Sequence, residues 1–478
     1  MFKINKIKYL GTGLLIIAFA ACKIPAVTVK TENTSSPSAY AQPGDSSSNT
    51  AKMPWKEYFT DPNLAALIDT ALRNNQELNI TLQEIEISRN EIRARKGEYL
   101  PFVGVKVGTG VEKVGRYTSR GAMEATTEIK PGKEMPEPLT DQLVAAYASW
   151  ELDIWHKLRN AKKAAVDRYL SSIEGKNFLV TNLVAEVANS YYELVALDNE
   201  LEIVKQNIEI QRNALEIVKF QKEATRVTEL AVRKFEAEVL HTTSLQYDIM
   251  QQITETENRI NFLLGRHPQP IARNQHAFDT LAPTNIHAGI PSQLLSNRPD
   301  IRRYELELAA TKLDVKVARA RFFPSVGISA SLGYQAFNPS YLLKTPESLL
   351  YSLAGDLAAP LINRNAIKAD YYNANARQVQ AVFNYERSIV NAYFEVANQL
   401  AKIGNLEKKY DLKSKQVDAL TQSIEISNDL FKSARADYME VLLTQRDALD
   451  SKFELVETRK QQMSAMVNIY QALGGGWK

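Results

Sequence analysis

Two long stretches of the chain carry apolar residues at helical spacing. In the first, Val180, Val184, Val187, Tyr191, Leu194, Leu201, Val204, Ile208, Leu215 and Val218 recur at steps of three, four or their sum. In the second, Ile389, Tyr393, Val396, Leu400, Ile403, Tyr410, Val417, Leu420 and Ile424 do the same. A sustained seven-residue repeat marks helices packed along their length. All 18 prolines lie outside residues 139–267 and 361–478, and glycine is nearly as scarce there. Both windows are rich in Ala, Leu, Glu, Lys, Gln and Arg, the good helix formers. A stack of short helices would need a turn signal every dozen or so residues, and none recurs. A helix from about Lys157 to about Lys222 is predicted, on the order of 100 Å long at 1.5 Å per residue.

Elsewhere the period changes to two. After Pro324, Val326, Ile328, Ala330, Leu332 and Tyr334 alternate with Ser325, Gly327, Ser329, Ser331 and Gly333. Val103, Val105 and Val107 alternate with Gly104, Lys106 and Gly108. Val144, Ala146, Ala148, Trp150, Leu152 and Ile154 share one face, as do Leu349, Tyr351, Leu353 and Leu357. One apolar and one small or polar face is the pattern of a membrane β-strand. Strands are predicted at about 101–112, 140–154, 324–335 and 347–360. Trp150, Trp155, Tyr334 and Tyr351 suit the membrane interfaces, where such rings concentrate.

The chain also repeats itself. With Pro101 set against Pro324, Asn74-Asn75-Gln76-Glu77-Leu78 falls on Asn297-Arg298-Pro299-Asp300-Ile301. Asn189-Ser190-Tyr191-Tyr192-Glu193 corresponds to Asn391-Ala392-Tyr393-Phe394-Glu395, and Leu264-Gly265 to Leu473-Gly474. Each half reads helix, strand, loop, strand, long helix, turn, helix. The first repeat is placed at 53–270 and the second at 271–478. Four strands cannot close a barrel, and open edges in hydrocarbon leave backbone groups without partners. Three copies would pool twelve strands. The predicted class is mainly α with a membrane β-barrel, its long helical hairpins extending the barrel as a periplasmic tunnel.

The N-terminus adds an address. Lys3, Lys6 and Lys8 precede an apolar run from Leu10 to Ala20, a secretory signal over residues 1–21. The run is too short to span a bilayer. It ends at Phe19-Ala20-Ala21-Cys22, and Cys22 is the only cysteine. Small residues before a cysteine resemble the bacterial lipobox, so Cys22 is the predicted lipid-attachment residue. Residues 22–52, rich in Ser, Thr, Asn, Pro and Ala, read as a lipid anchor and flexible tether. The formal charge of +3 is carried by those three signal lysines, since residues 1–21 hold no acid and the remainder is neutral. A nucleic-acid partner is therefore not expected.

Further landmarks are Trp55-Lys56-Glu57-Tyr58-Phe59 with Asp61-Pro62 and Leu64 through Leu72, then Ser149-Trp150-Glu151-Leu152-Asp153-Ile154-Trp155. Arg298-Pro299-Asp300-Ile301 and Ala472-Leu473-Gly474-Gly475-Gly476-Trp477 follow. Together, from about Pro54 to Trp477, these resemble the TolC-type outer-membrane efflux proteins, in the lipoprotein branch that serves multidrug pumps. The resemblance implies a homotrimer in outer-membrane lipid, docked to a periplasmic adaptor and to an inner-membrane, proton-driven pump. It implies a passive exit duct for drugs or toxic small molecules, whose inner end is closed by coiled helix pairs. At that gate the family tends to carry an acid where Glu440 falls. Three copies would form an acidic ring that attracts cations. Arg435 and Asp437 would supply contacts between subunits. Leu443, where some members carry a second acid, would form an apolar constriction. Arg226 and Glu229 mark the matching first tip.

No catalytic constellation, phosphate loop, cofactor site or metal-ligand spacing is legible. His156, His241, His267, His276 and His287 are scattered. His156, beside a strand-to-helix turn, is read as a capping or packing residue. Two other functions stay open on sequence alone. One is the outer-membrane channel of a type I protein secretion system. The other is a periplasmic coiled-coil structural protein without a barrel.

Overall fold

The computed structural model describes residues 24–40, 49–274, 287–433 and 435–477, with only the backbone of Lys130. Its principal helices are α1 (Pro62–Asn74), α2 (Gln76–Tyr99), α3 (Lys157–Glu223), α4 (Glu229–Leu263), α5 (Pro299–Ala320), α6 (Asn365–Lys432) and α7 (Tyr438–Ala472). Its principal strands are β1 (Phe102–Glu112), β2 (Leu139–Leu152), β3 (Ser325–Ala336) and β4 (Leu349–Ala358). α3 has 67 residues and α6 has 68, each about 100 Å of continuous helix. No helix among the described residues is long and apolar enough to cross a membrane.

Local chemistry sets the boundaries. Asp61 caps α1, its carboxylate accepting the Asn63 amide at 2.8 Å, with Pro62 at the first helical position. The Asp153 carboxylate accepts the amides of Leu158 and Arg159, each at 2.9 Å, and starts α3. The cap expected near His156 therefore belongs to Asp153. His156 itself turns the chain, at φ +58°.

The chain folds as two compact units. Of the described residues, the first comprises 24–31, 86–170 and 306–382, and the second 32–40, 49–85, 171–274, 287–305, 383–433 and 435–477. Each draws on both repeats. Within the first, the strands form one antiparallel sheet in the order β1-β2-β3-β4. β2 and β3 come from different repeats, and their pairing joins the two halves. Among the described residues, nothing pairs with the outer edges of β1 and β4.

Within the second unit, the predicted heptad positions of α3 form a buried seam. Val184, Val187, Tyr191 and Leu194 pack with Leu64, Ile68, Ile260, Leu264, Val467 and Tyr470. Tyr58 stacks on Tyr470 at 4.1 Å, and the two hydroxyls donate to the carbonyls of Met466 (2.8 Å) and Met53 (2.6 Å) respectively. The Tyr191 hydroxyl donates to Asp61 at 2.6 Å. The Trp55–Asp61 segment thus closes this core.

The repeat is visible atom by atom at two joints. In the first, the Asn75 side-chain amide donates to the Leu263 carbonyl at 2.9 Å. In the second, the Arg298 guanidinium donates to the Ala472 carbonyl at 2.9 Å and grips Asp300 and Glu395. Beside these, Gly265 and Gly474 sit at φ +65° and +90°. A Cβ on Gly265 would stand 2.4 Å from the Asn74 carbonyl, and one on Gly474 2.6 Å from that of Asn297.

The flexible tether expected over 22–52 needs correction where it is described. Residues 24–40 run without helix or strand beside α6. In the first unit, Ile24 and Val27 pack on Phe322, Tyr371 and Ala374, and Gln378 donates to the Lys30 carbonyl. In the second, the Asn33 amide donates to Glu386 at 3.0 Å, and Tyr40 stacks on Tyr393 at 5.6 Å. A few apolar residues spaced through a polar segment fasten it, and composition averages them away.

Two predictions follow from this packing. Gly474→Ala should destabilise the joint by roughly 1–3 kcal/mol, from the left-handed backbone alone, and lower Tm by several degrees in thermal unfolding of the detergent-purified protein. Glu200, on α3, is pushed up to about 7 by burial, opposed by Lys460 and assisted by Glu457. Its neutral form stabilises the fold below about pH 4.5, and that contribution is lost as pH rises through 7. Glu200→Gln should therefore match the wild type in Tm at pH 4 and exceed it by a few degrees at pH 8.

Candidate functional site

Two places carry chemistry: the sheet of the first unit and the hairpin turns of the second. Across the sheet, Val103, Val105 and Val107 face Ala148, Ala146 and Val144. These face Ala330, Leu332 and Tyr334, which in turn face Leu353, Tyr351 and Leu349. Strict alternation along each strand places all of them on one side. Val105 is 72% exposed, Leu353 79% and Tyr351 80%. So large a contiguous apolar face needs a non-aqueous neighbour. The opposite side carries Lys106, Asp141, Glu151, Ser329, Ser331, Ser352 and Asp356 with several glycines. Glycine is needed here for room. A Cβ on Gly327 would lie 2.8 Å from the Asp356 carboxylate, and one on Gly104 2.8 Å from the Tyr147 ring.

Trp150 and Trp155 fix the sheet's end near the Pro101 and Pro324 junctions. The Trp150 indole N–H donates to the Tyr99 carbonyl at 3.1 Å. That of Trp155 donates to the Pro324 carbonyl at 2.7 Å, and its ring stacks on Phe323 at 4.6 Å.

The two hairpin turns have the same backbone plan. The Arg226 amide donates to the Gln221 carbonyl, and the Arg435 amide to the Leu430 carbonyl, each at 2.8 Å. This six-to-one bond closes a helix C-terminus and usually follows glycine. The first turn instead holds Thr225 at φ +59°, which explains why no glycine marks the place in the sequence. Val218 of α3, Val232 and Phe235 of α4, and Val441 and Leu442 of α7 then join in one apolar cluster. The cluster brings the two turns together.

Electrostatically the turns differ. Glu229 pairs with Lys222 at 2.7 Å and Arg233 at 2.9 Å, and these cations hold its carboxyl below the usual range. Arg226 is exposed. In the second turn Arg435, Asp437 and Glu440 are all exposed. Among the described residues no ion pair within the chain engages them. Leu443 is 42% exposed and lies one turn beyond Glu440. Asp447, Asp450 and Glu454 continue the same exposed stripe of α7 at steps of three and four. Val441, Leu442, Ala448 and Leu449 are buried on the other side.

A sheet with one apolar face and one polar face, carried on long paired helices, fits a known family. The model for outer membrane efflux proteins matches residues 67–266 and 290–475, most of the chain. The chain belongs to the outer membrane efflux protein family. It is similar to the pyoverdine export outer membrane protein OpmQ of Pseudomonas aeruginosa, 27% identical over 439 residues, 92% of this chain and 90% of that one. It is also similar to the toluene efflux pump outer membrane protein TtgI of Pseudomonas putida, 28% identical over 443 residues, with 92% and 91% covered. Its fold matches the open-state MtrE outer membrane channel of Neisseria gonorrhoeae, with a TM-score of 0.82 at 23% identity, covering 95% of this chain and 98% of that one.

This outer membrane efflux protein is thus an outer-membrane efflux channel subunit whose helices extend into the periplasm. Cys22 lies outside the described residues. Of the expected gate residues, Glu440 and Leu443 share a face, whereas Glu229 beside Arg226 is already paired with Lys222 and Arg233. Asp447 and Asp450 were missed from the sequence. Their spacing from Glu440 would have found them.

Glu440→Gln should reduce the cation preference of the channel in planar-bilayer conductance. An identical current–voltage profile across several cations would remove Glu440 from the conducting path.

Proposed function

We propose that the protein works as a homotrimer, the β4 edge of each copy pairing with the β1 edge of the next to close a twelve-stranded barrel. The observation that carries this is the four-stranded sheet with an exposed apolar face and two unpaired edges. In hydrocarbon every one of those backbone groups needs a partner. α6 supports the same reading. Its heptad residues Tyr410, Val417, Leu420 and Ile424 are only half-buried within one chain, and Leu412 and Ile426 are exposed. A neighbouring copy would cover them.

In this reading the outer face of the sheet meets lipid and the Ser- and Asp-bearing face lines the pore. A lipid on Cys22 would enter the membrane close by. Ile24 packs on Phe322, just before β3 begins. Efflux cargo would be small organic molecules such as drugs or toxic compounds, delivered by a proton-driven inner-membrane pump. A periplasmic adaptor would dock on the hairpin turns. The chain itself would act as a passive duct with no catalytic step, the pump supplying the energy. The gate is assigned to the second turn, with Glu440 and Leu443 facing the bore and Arg435 and Asp437 meeting the neighbouring copy. Similarity to export and efflux-pump proteins favours this over a type I secretion channel.

The test places one charge on each side of the same strand. Leu353→Arg, on the apolar face, should abolish heat-modifiable trimers in purified outer membranes, since an arginine at mid-bilayer costs about 2–4 kcal/mol per copy. Ser352→Arg, on the other face, should leave trimers intact. Equal trimer yields from both variants would overturn the assignment of faces. Cys22→Ser should abolish radiolabelled palmitate incorporation, and retained label would exclude lipidation at that residue.

A further inference from the structure

The hairpin packing in the second unit has two apolar clusters with a different layer between them. Nearest the turns are Leu215, Val232, Phe235 and Val441 with their neighbours. Farther away, Val204, Ile208 and Ile249 form the next cluster, with Leu245 and Phe453 packed against it. Between the clusters, each of three helices buries a polar side chain: Gln211 on α3, Thr242 on α4 and Gln445 on α7. They are 1%, 0% and 0% exposed. Among the described residues, neither end of the two glutamine amides, nor the Thr242 hydroxyl, finds a hydrogen-bond partner. Ser451 Oγ and Asn207 Nδ2, at the margins of the layer, are in the same position.

Such a layer pulls against its surroundings. A buried polar group without a partner is held at a free-energy cost that hydration removes. Parting the helices would let water reach five such atoms on Gln211, Thr242 and Gln445. The flanking apolar clusters oppose parting, because separation would wet them. Two opposed terms in one helix bundle make a two-state element.

We infer that the Gln211–Thr242–Gln445 layer is a built-in opening bias, which sets how readily α7 parts from α3 and α4. This rests on the assignment of the hairpin turns as the gate. The layer favours the parted state and the cluster at the turns holds the packed one. Glu440 and Leu443 select what passes, and the layer sets how often the way is clear.

The test compares the full-length double variant Gln211→Leu/Gln445→Leu with wild type in planar bilayers. Its opening frequency should fall at least about tenfold, since four unsatisfied atoms are replaced by apolar groups, and its Tm should rise. An unchanged or increased opening frequency overturns the inference. Glu440→Gln, measured in parallel, separates the two proposals. If it leaves cation preference untouched while the layer variant opens more rarely, the Glu440 assignment fails and the layer stands. Should the double variant not fold, Thr242→Cys provides a second measurement. Its thiol should be labelled at least about tenfold faster when Phe235→Ala loosens the cluster at the turns. Equal labelling rates with and without Phe235→Ala overturn the inference.

Discussion

A β-ladder in hydrocarbon has to end on another strand. Every backbone amide and carbonyl left at an edge would lose its water and gain nothing in return. This one constraint makes a four-stranded sheet insufficient by itself and gives the chain a reason to associate with copies of its own kind. The pairing of β2 with β3 shows how far one polypeptide goes toward meeting it. Two repeats are fused through eleven paired positions from Gln142–Ala336 to Leu152–Val326. The outer edges of β1 and β4 are what remains.

The sequence exposed this plan unevenly, for physical reasons. The strands and the helix α3 were legible because their periods are uninterrupted: the α3 positions form a seam buried within the chain, and the strand positions share one exposed apolar face. α6 carries the same heptad, yet Tyr410 and Val417 are only half-buried. The pattern is the same there, but among the described residues no cluster buries those positions as fully as those of α3. The turns were located by their position between helices rather than by composition, since Thr225 takes a backbone conformation that glycine normally signals. The Asp153 cap was not legible because it stands four residues ahead of Lys157, where α3 begins, and not at the usual N-cap position. The strap over 24–40 was hidden because a mostly polar run from Lys30 to Ala39 separates Ile24 and Val27 from Tyr40.

The two hairpin turns show how repetition and specialisation coexist. Their backbone bonds superimpose residue for residue, Arg226 on Arg435 and Gln221 on Leu430. Apart from that shared arginine, their charged side chains differ. Lys222 and Arg233 pair with Glu229 at the first turn, whereas the second has Glu440, Asp447 and Asp450 along one exposed stripe of α7 with Leu443 among them. The two turns thus keep one backbone plan while their charges differ.

The strap carries a consequence for biogenesis. Residues 24–40 leave the ribosome early, yet their seats on α6, from Tyr371 to Tyr393, are synthesised more than three hundred residues later. A contact of such sequence separation forms late in folding. The strap can therefore be seated only after α6 has been made, which places its docking among the last steps by which the fold is closed.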